Sequence, residues 1–439
     1  MNINTFLCLL VFCLCFQNSF GQNWKKELDS ILNILEQDEL FHGQILIAEE
    51  GRIIFHESYG INPETKKPIK RESPLAVKSI TKAFTASAIL ILEEQGELNI
   101  NNKVNKYLRN WPYKDMTIKH LLTMTSGLPD YISHVVNRAD TTTYMTNTGI
   151  VNFISKHPIE IRTPGNYYSY QNSNYITLAA IIEEVSGIAY SDFIEKNIIN
   201  PLNLKNTYLQ DLTQISKEVD GNTFFAPSGD GNLYSTAMDL YRFEKAFSEN
   251  KILSKENKAL TFKKTKLNDG SFSTYGLAWW NVDSHEEEYY IIGDGPNIRA
   301  SIQRYPETNS TFIYVHNYSG RYWKDVYWIV KNIWKGETYQ LPDHIEKLKV
   351  YDIEGQLLDK YVGQYDLSGF GLLHITKQNG KLYLRPDAVP GKEELVPSSD
   401  TSFYFKEQDI EWEFFVDDKG DVIGFGFKGK PEAMGKKLN

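Results

Sequence analysis

The sequence predicts an α/β (α+β) unit built on one antiparallel sheet with packed helices, followed by a small all-β unit. Two observations lead there. Strand-like runs lie at both ends of the first 335 residues with helical periodicity between them, and from Tyr339 onward short strands recur about every ten residues. The early pair is Gly43 to Gly60, two strands turning at Gly51. The late set is Tyr275 to Val282, Glu288 to Ile292, Ile298 to Tyr305 and Thr311 to His316, closed by an amphipathic helix from Trp323 to Trp334. One sheet containing both sets joins residues about 250 apart, which predicts slow folding.

Between them, Lys82 to Gly96 is nearly unbroken in apolar character, as expected of a helix buried on most sides and ended by Gly96. Further helices are expected at Thr117 to Thr123, 148 to 157, 174 to 186, 190 to 198 and 236 to 248. In the tail, strands are expected from Tyr361, Leu372, Lys381, Glu394, Phe403, Trp412 and Val422, the pattern of a small antiparallel barrel or sandwich. The division is thus 22–336 and 357–439, with 337–356 as linker.

Residues 1–21 carry no Asp, Glu, Lys or Arg, hold the apolar block Phe6 to Phe16 and end Ser19-Phe20-Gly21. They read as a cleavable signal peptide, placing the mature chain outside the cell or in the periplasm with no stable membrane span. All three cysteines, Cys8, Cys13 and Cys15, lie in that segment, so neither disulfides nor thiol catalysis is expected afterward. A net charge of −9 argues against nucleic acid as a partner.

Ser79-Ile80-Thr81-Lys82 places a hydroxyl and an amine on one helix face, where the amine can take the hydroxyl proton. Ser248-Glu249-Asn250-Lys251 fits the same pattern, but it ends a charged helix, whereas Ser79 opens an apolar one. A nucleophile needs a rigid, partly desolvated seat, which selects Ser79. A solvated ammonium has no lone pair, so Lys82 serves as base only from an enclosed position. Tyr170-Gln171-Asn172 supplies a phenol suited to carrying a proton to the leaving group and an amide suited to holding the lysine and a substrate carbonyl.

No Gly-x-Ser-x-Gly elbow, phosphate-binding glycine loop or His-x-x-x-His spacing is present, and no metal or cofactor is expected. His120 reads as a packed or capping residue.

Five ordered motifs resemble the serine β-lactamase-related family of class C β-lactamases, D-Ala-D-Ala carboxypeptidases, D-aminopeptidases and esterases. They are Ser79 to Lys82, Ile118 to Pro129, Pro164-Gly165 leading to Tyr170-Gln-Asn172, Asn200 to Thr207, and Gly231 to Leu240. The resemblance spans about residues 26 to 335, and the tail resembles the small β-barrel often appended to such hydrolases. It implies a penicillin-binding-protein fold, a sheet beside a helical subdomain with the cleft between. It implies Ser79 as acylated nucleophile, Lys82 and Tyr170 as the proton-transfer pair, and Asn172 as the substrate-orienting amide. The oxyanion would be held by the backbone of Ser79 and by the strand around Gly293 and Asp294. The implied substrate is an amide or ester, such as a D-amino-acid peptide derived from peptidoglycan or a small ester; the preference for these over a β-lactam comes from the departure that follows.

The chain departs from the family in the third motif. Where members carry Lys or His, then any residue, then Gly, alignment on Arg304-Tyr305-Pro306 gives Ile291-Ile292-Gly293, and a two-residue shift gives Gly293-Asp294-Gly295. Neither register has a cation. Arg299 is the candidate replacement if its side chain enters the cleft. The alternative is a weak or inactive binding protein that keeps the cleft for recognition.

Overall fold

The computed structural model describes residues 24–131, 146–211, 227–282, 285–295, 298–317, 323–341, 351, 353, 355–367, 371–386, 392–405 and 411–438. Residues 1–21, expected from the sequence to be a signal peptide, lie outside the described residues.

A helix over residues 24–37 (α1) precedes strands Gly43–Glu49 (β1) and Arg52–Tyr59 (β2). Four late strands, Trp280–Val282 (β3), His285–Gly295 (β4), Ile298–Tyr305 (β5) and Ser310–His316 (β6), complete an antiparallel sheet of order β2-β1-β6-β5-β4-β3. The long-range closure falls where the sequence places it, with Gly43 opposite His316 and Ala48 opposite Thr311.

Both faces of this sheet are covered, which explains why Ile45, Leu46, Ile47 and Ala48 are all fully buried. Ile45 and Ile47 point to Leu28, Leu32 and Leu35 of α1 and to Val326, Ile329, Val330 and Ile333 of helix Trp323–Lys335. Leu46 and Ala48 face the larger core, which contains helix Thr81–Glu94 (α2), helix Ser173–Ser186 (α3) and helix Ala237–Ser248 (α4). In α2 every residue from Thr81 to Leu90 is buried, and Gly96 ends the turn at φ +77°.

One expected strand shortens. Only Trp280–Val282 pairs with β4, while the segment from Tyr275 makes a tight turn bridged to Trp280. Ala278 at φ +74° reverses the chain, and a Cβ on Gly276 would lie 2.1 Å from the Thr261 carbonyl oxygen, so this backbone is seated against its neighbour rather than extended.

The C-terminal unit is a closed barrel of eight strands, Gly363–Leu367, Gly371–Gln378, Lys381–Pro386, Glu393–Pro397, Ser402–Phe405, Glu411–Val416, Val422–Phe427 and Gly435–Leu438. Tyr361, expected to open a strand, instead ends helix Gly355–Tyr361, and its hydroxyl donates to the Asp400 carbonyl. The last strand escaped prediction because Gly435-Lys-Lys-Leu438 has almost no apolar alternation. It closes the barrel by pairing Lys437 with Tyr365. Tyr365, Phe403, Phe414 and Phe425 fill the interior, each burial contributing roughly 1.5–3 kcal/mol.

Candidate active site

Ser79 lies in a 3-10 turn, Lys78–Ile80, immediately before α2. The turn is tied to the segment Gly229–Leu233. Val77 N–H donates to the Leu233 carbonyl (3.0 Å), the Thr81 hydroxyl accepts from Leu233 N–H (3.1 Å), and the Thr85 hydroxyl donates to the Gly229 carbonyl (2.7 Å). Gly229, at φ +106°, passes so close to α3 that a Cβ would lie 2.8 Å from that of Ala179. These contacts bring the Asp230 carbonyl over Lys82.

Lys82 is 1% exposed. Its Nζ donates to Ser79 Oγ (2.8 Å), Asn172 Oδ1 (2.9 Å) and the Asp230 carbonyl oxygen (2.6 Å). Two of those partners accept only. A neutral amine would therefore keep two N–H bonds on Asn172 and Asp230 and turn its lone pair to the serine hydroxyl, the geometry that removal of the Ser79 proton requires.

Asn172 caps the start of α3 and is held from behind, its N–H donating to Asp130 Oδ2 (3.2 Å), while Ser173 Oγ donates to the Pro129 carbonyl (2.6 Å). The Tyr170 ring covers the amine, its centroid 5.1 Å from Lys82 Nζ. That ring stacks on Trp280 (5.7 Å, 10°), which stacks on Tyr290 (5.7 Å, 12°). The Tyr170 phenol makes no hydrogen bond among the described residues, which leaves it available to a substrate.

Burial pushes the Asp230 carboxyl up to about 6, with the Lys82 charge opposing and Asp130 adding to the rise.

Gly293 meets the nucleophile turn from the other side. A Cβ there would lie 1.9 Å from the Val77 carbonyl oxygen and 3.2 Å from the Ser79 nitrogen. This close approach favours the Ile291-Ile292-Gly293 register, and Ile291, two residues earlier on the same face, is buried in the core. Beyond Tyr290, β4 has no outer partner strand among the described residues.

Arg299 does not fill the gap. Its neighbour Ala300 joins the core on the Ser79 side, whereas Arg299 shares the opposite face with Asp294, its cross-strand partner, and pairs with that carboxylate at 2.6 Å. Strand alternation turns both side chains away from the Ser79 side.

The second Ser-x-x-Lys pattern is not assembled. The Ser248 hydroxyl donates to Glu244, and Lys251 pairs with Glu249 at 2.7 Å. His120 closes a capping box with Thr117. No group of three or more His, Cys, Asp or Glu suited to a metal occurs among the described residues.

Sequence reasoning missed Asp130, Asp230 and Trp280. Asp130 and Asp230 carried a faint signal, each bordering a quoted motif.

Residues 352–439 match a domain of unknown function, DUF3471. A penicillin-binding protein of Bacillus subtilis (strain 168) is 30% identical over 427 residues, covering 90% of this chain and 94% of its own length. Among solved structures, the octameric penicillin-binding protein homologue from Pyrococcus abyssi superposes with a TM-score of 0.59 at 22% identity, covering 92% of this chain and 98% of its own. A D-amino acid amidase from Ochrobactrum anthropi, complexed with L-phenylalanine amide, gives 0.56 at 19%, covering 72% and 98%. These two likenesses show a shared fold. The sequence profile of the Beta-lactamase family matches residues 34–330, and with Ser79, Lys82 and Asn172 assembled on that fold, the chain belongs to the β-lactamase family of serine hydrolases.

Proposed function

We propose that the protein is an exported hydrolase that forms an acyl-Ser79 intermediate from an amide or ester, a D-amino-acid peptide or small ester rather than a β-lactam. The observation that carries this reading is Lys82 held between Ser79, Asn172 and the Asp230 carbonyl. In acylation the Lys82 amine takes the Ser79 proton as Oγ bonds to the substrate carbonyl carbon, and the oxyanion accepts hydrogen bonds from the Ser79 and Asp294 backbone. The carbon–heteroatom bond then breaks with the proton passing to the leaving group through Tyr170, and water releases the acid. The charge-free segment 1–21 supports export.

Buried Ile291 in the usual cation position speaks against β-lactam recognition and favours one second reading, a cleft that binds with little turnover. Reaction with a fluorophosphonate, read by intact mass, tests the first reading. A single adduct on the wild type that Ser79→Ala lacks supports it, and no adduct on the wild type leaves the second.

A further inference from the structure

A cavity of about 290 Å³ opens where helix Ile118–Leu122, the end of helix Lys255–Thr261 and the short hairpin of Thr265–Lys266 with Phe272–Ser273 meet. None of its lining residues belongs to the set assembled around Ser79. Its walls are fixed by local bonds: Leu277 N–H donates to the Thr261 carbonyl (2.8 Å), and the Thr265 hydroxyl donates to the Tyr275 carbonyl (2.7 Å), which ties the hairpin to the turn after it. The hairpin register sets Lys266 opposite Phe272, so the two side chains share a face.

The lining divides by chemistry. Leu260, Leu277 and Phe272 supply apolar surface, and Phe272, 61% exposed, is the most exposed large hydrophobic side chain among the described residues. Every charged lining residue is a lysine: Lys119, Lys263, Lys264 and Lys266. Lys119, Lys263 and Lys266 make no ion pair or side-chain hydrogen bond among the described residues. Asp269, the acid of the hairpin loop, does not neutralise them, because its carboxylate is turned back on its own loop, accepting from the Ser271 N–H (2.9 Å) and hydroxyl (2.6 Å).

Four cations at one rim are not the overflow of a basic composition, since the chain carries a net charge of −9. Their mutual repulsion is relieved by an anion, and Phe272 leaves water only against an apolar body. A solvated lysine face would account for the charges and leave the phenylalanine unexplained. One ligand satisfies both, and the cavity lies at the small end of the range for small-molecule sites.

We propose that this cavity is a second ligand site, separate from Ser79, which takes a small amphiphilic anion. The apolar body lies between Leu260, Leu277 and Phe272, and the anionic head meets the lysines at the rim. The site goes beyond the acyl-serine reading and does not depend on it.

The test measures binding to the full mature chain by calorimetry, with octanoate below its micelle-forming concentration, octan-1-ol as the same chain without charge, and acetate as the charge without the chain. Octanoate is expected to bind at one site, the other two about tenfold or more weakly, and added salt should weaken octanoate alone. The double variant Lys263→Gln/Lys266→Gln and the single variant Phe272→Ser, all at exposed positions, should each lose about tenfold in octanoate affinity with Tm unchanged. Lys67→Gln/Lys70→Gln, exposed residues outside the cavity lining, changes net charge equally and should leave affinity as it is. No octanoate binding, equal binding of octan-1-ol, or an affinity that the Lys263/Lys266 variant does not change overturns the proposal. Sedimentation with phosphatidylglycerol vesicles without binding of free octanoate also overturns it, and assigns the patch to a lipid surface instead.

Discussion

Lys82 makes its shortest hydrogen bond, 2.6 Å, to the carbonyl oxygen of Asp230, a residue 148 positions away, and not to its neighbour Ser79 at 2.8 Å. The amine is thus positioned by the core rather than by its own helix, and in the proposed mechanism its bond to Ser79 is the one that becomes a proton transfer.

Lys82→Ala removes the base and leaves two buried acceptors, Asn172 Oδ1 and the Asp230 carbonyl, without their donor. Turnover of an activated ester should fall by about 10²–10⁴-fold, and stability by roughly 1–3 kcal/mol in urea unfolding. Unchanged kcat at a lowered Tm would assign Lys82 a structural role.

Tyr170→Phe keeps the ring that stacks on Trp280 and removes only the phenol. Its Tm should match the wild type while kcat on an amide falls about 10²-fold or more, since an amine leaving group needs a proton. A poor effect on amides, or an equal loss on esters with very acidic alcohols, contradicts the shuttle.

Gly293→Ala forces a methyl group into the Val77 carbonyl, backbone against backbone, so β4 must retreat from the nucleophile turn. A displacement of about 1 Å is expected to lower kcat/KM by roughly 10²-fold. Gly355→Ala, where nothing lies within 4 Å, serves as the comparison and should leave activity intact.

Asp230 gives the fold a pH signature. Its folded-state value, about 6 against 3.8 unfolded, means the native state holds this proton more tightly. Its contribution to stability is therefore most favourable below pH 4 and is lost as pH rises from about 4 to 6, a change of about 2 kcal/mol after allowing for partial access to water. Asp230→Asn should flatten that part of the stability curve and be more stable than the wild type at pH 7. A steeper slope, measured by denaturant unfolding across pH 3.5–7, contradicts the assignment.

Much of this was legible in the sequence where local spacing carries the information. Ser79 and Lys82 share a helix face by periodicity, the apolar run of α2 announces its burial, and short unbroken apolar runs mark β1 and β6. Asp230 and Trp280 were not, because their roles arise from contacts between distant segments: a carbonyl laid over α2 and a ring stacked beneath Tyr170. The direction of Arg299 was not legible for a related reason. Nothing in the composition of β5 distinguishes one face of the strand from the other until Gly293 is seen against Val77, which fixes which residues look toward Ser79.

The most direct measurement is the mass of the protein quenched during turnover of a slowly hydrolysed activated ester, followed by peptide mapping. One acyl group on the peptide containing Ser79, absent from Ser79→Ala and accumulating more slowly in Lys82→Ala, is the expected result. An acyl group on another residue, or an equal yield on Ser79→Ala, would contradict it.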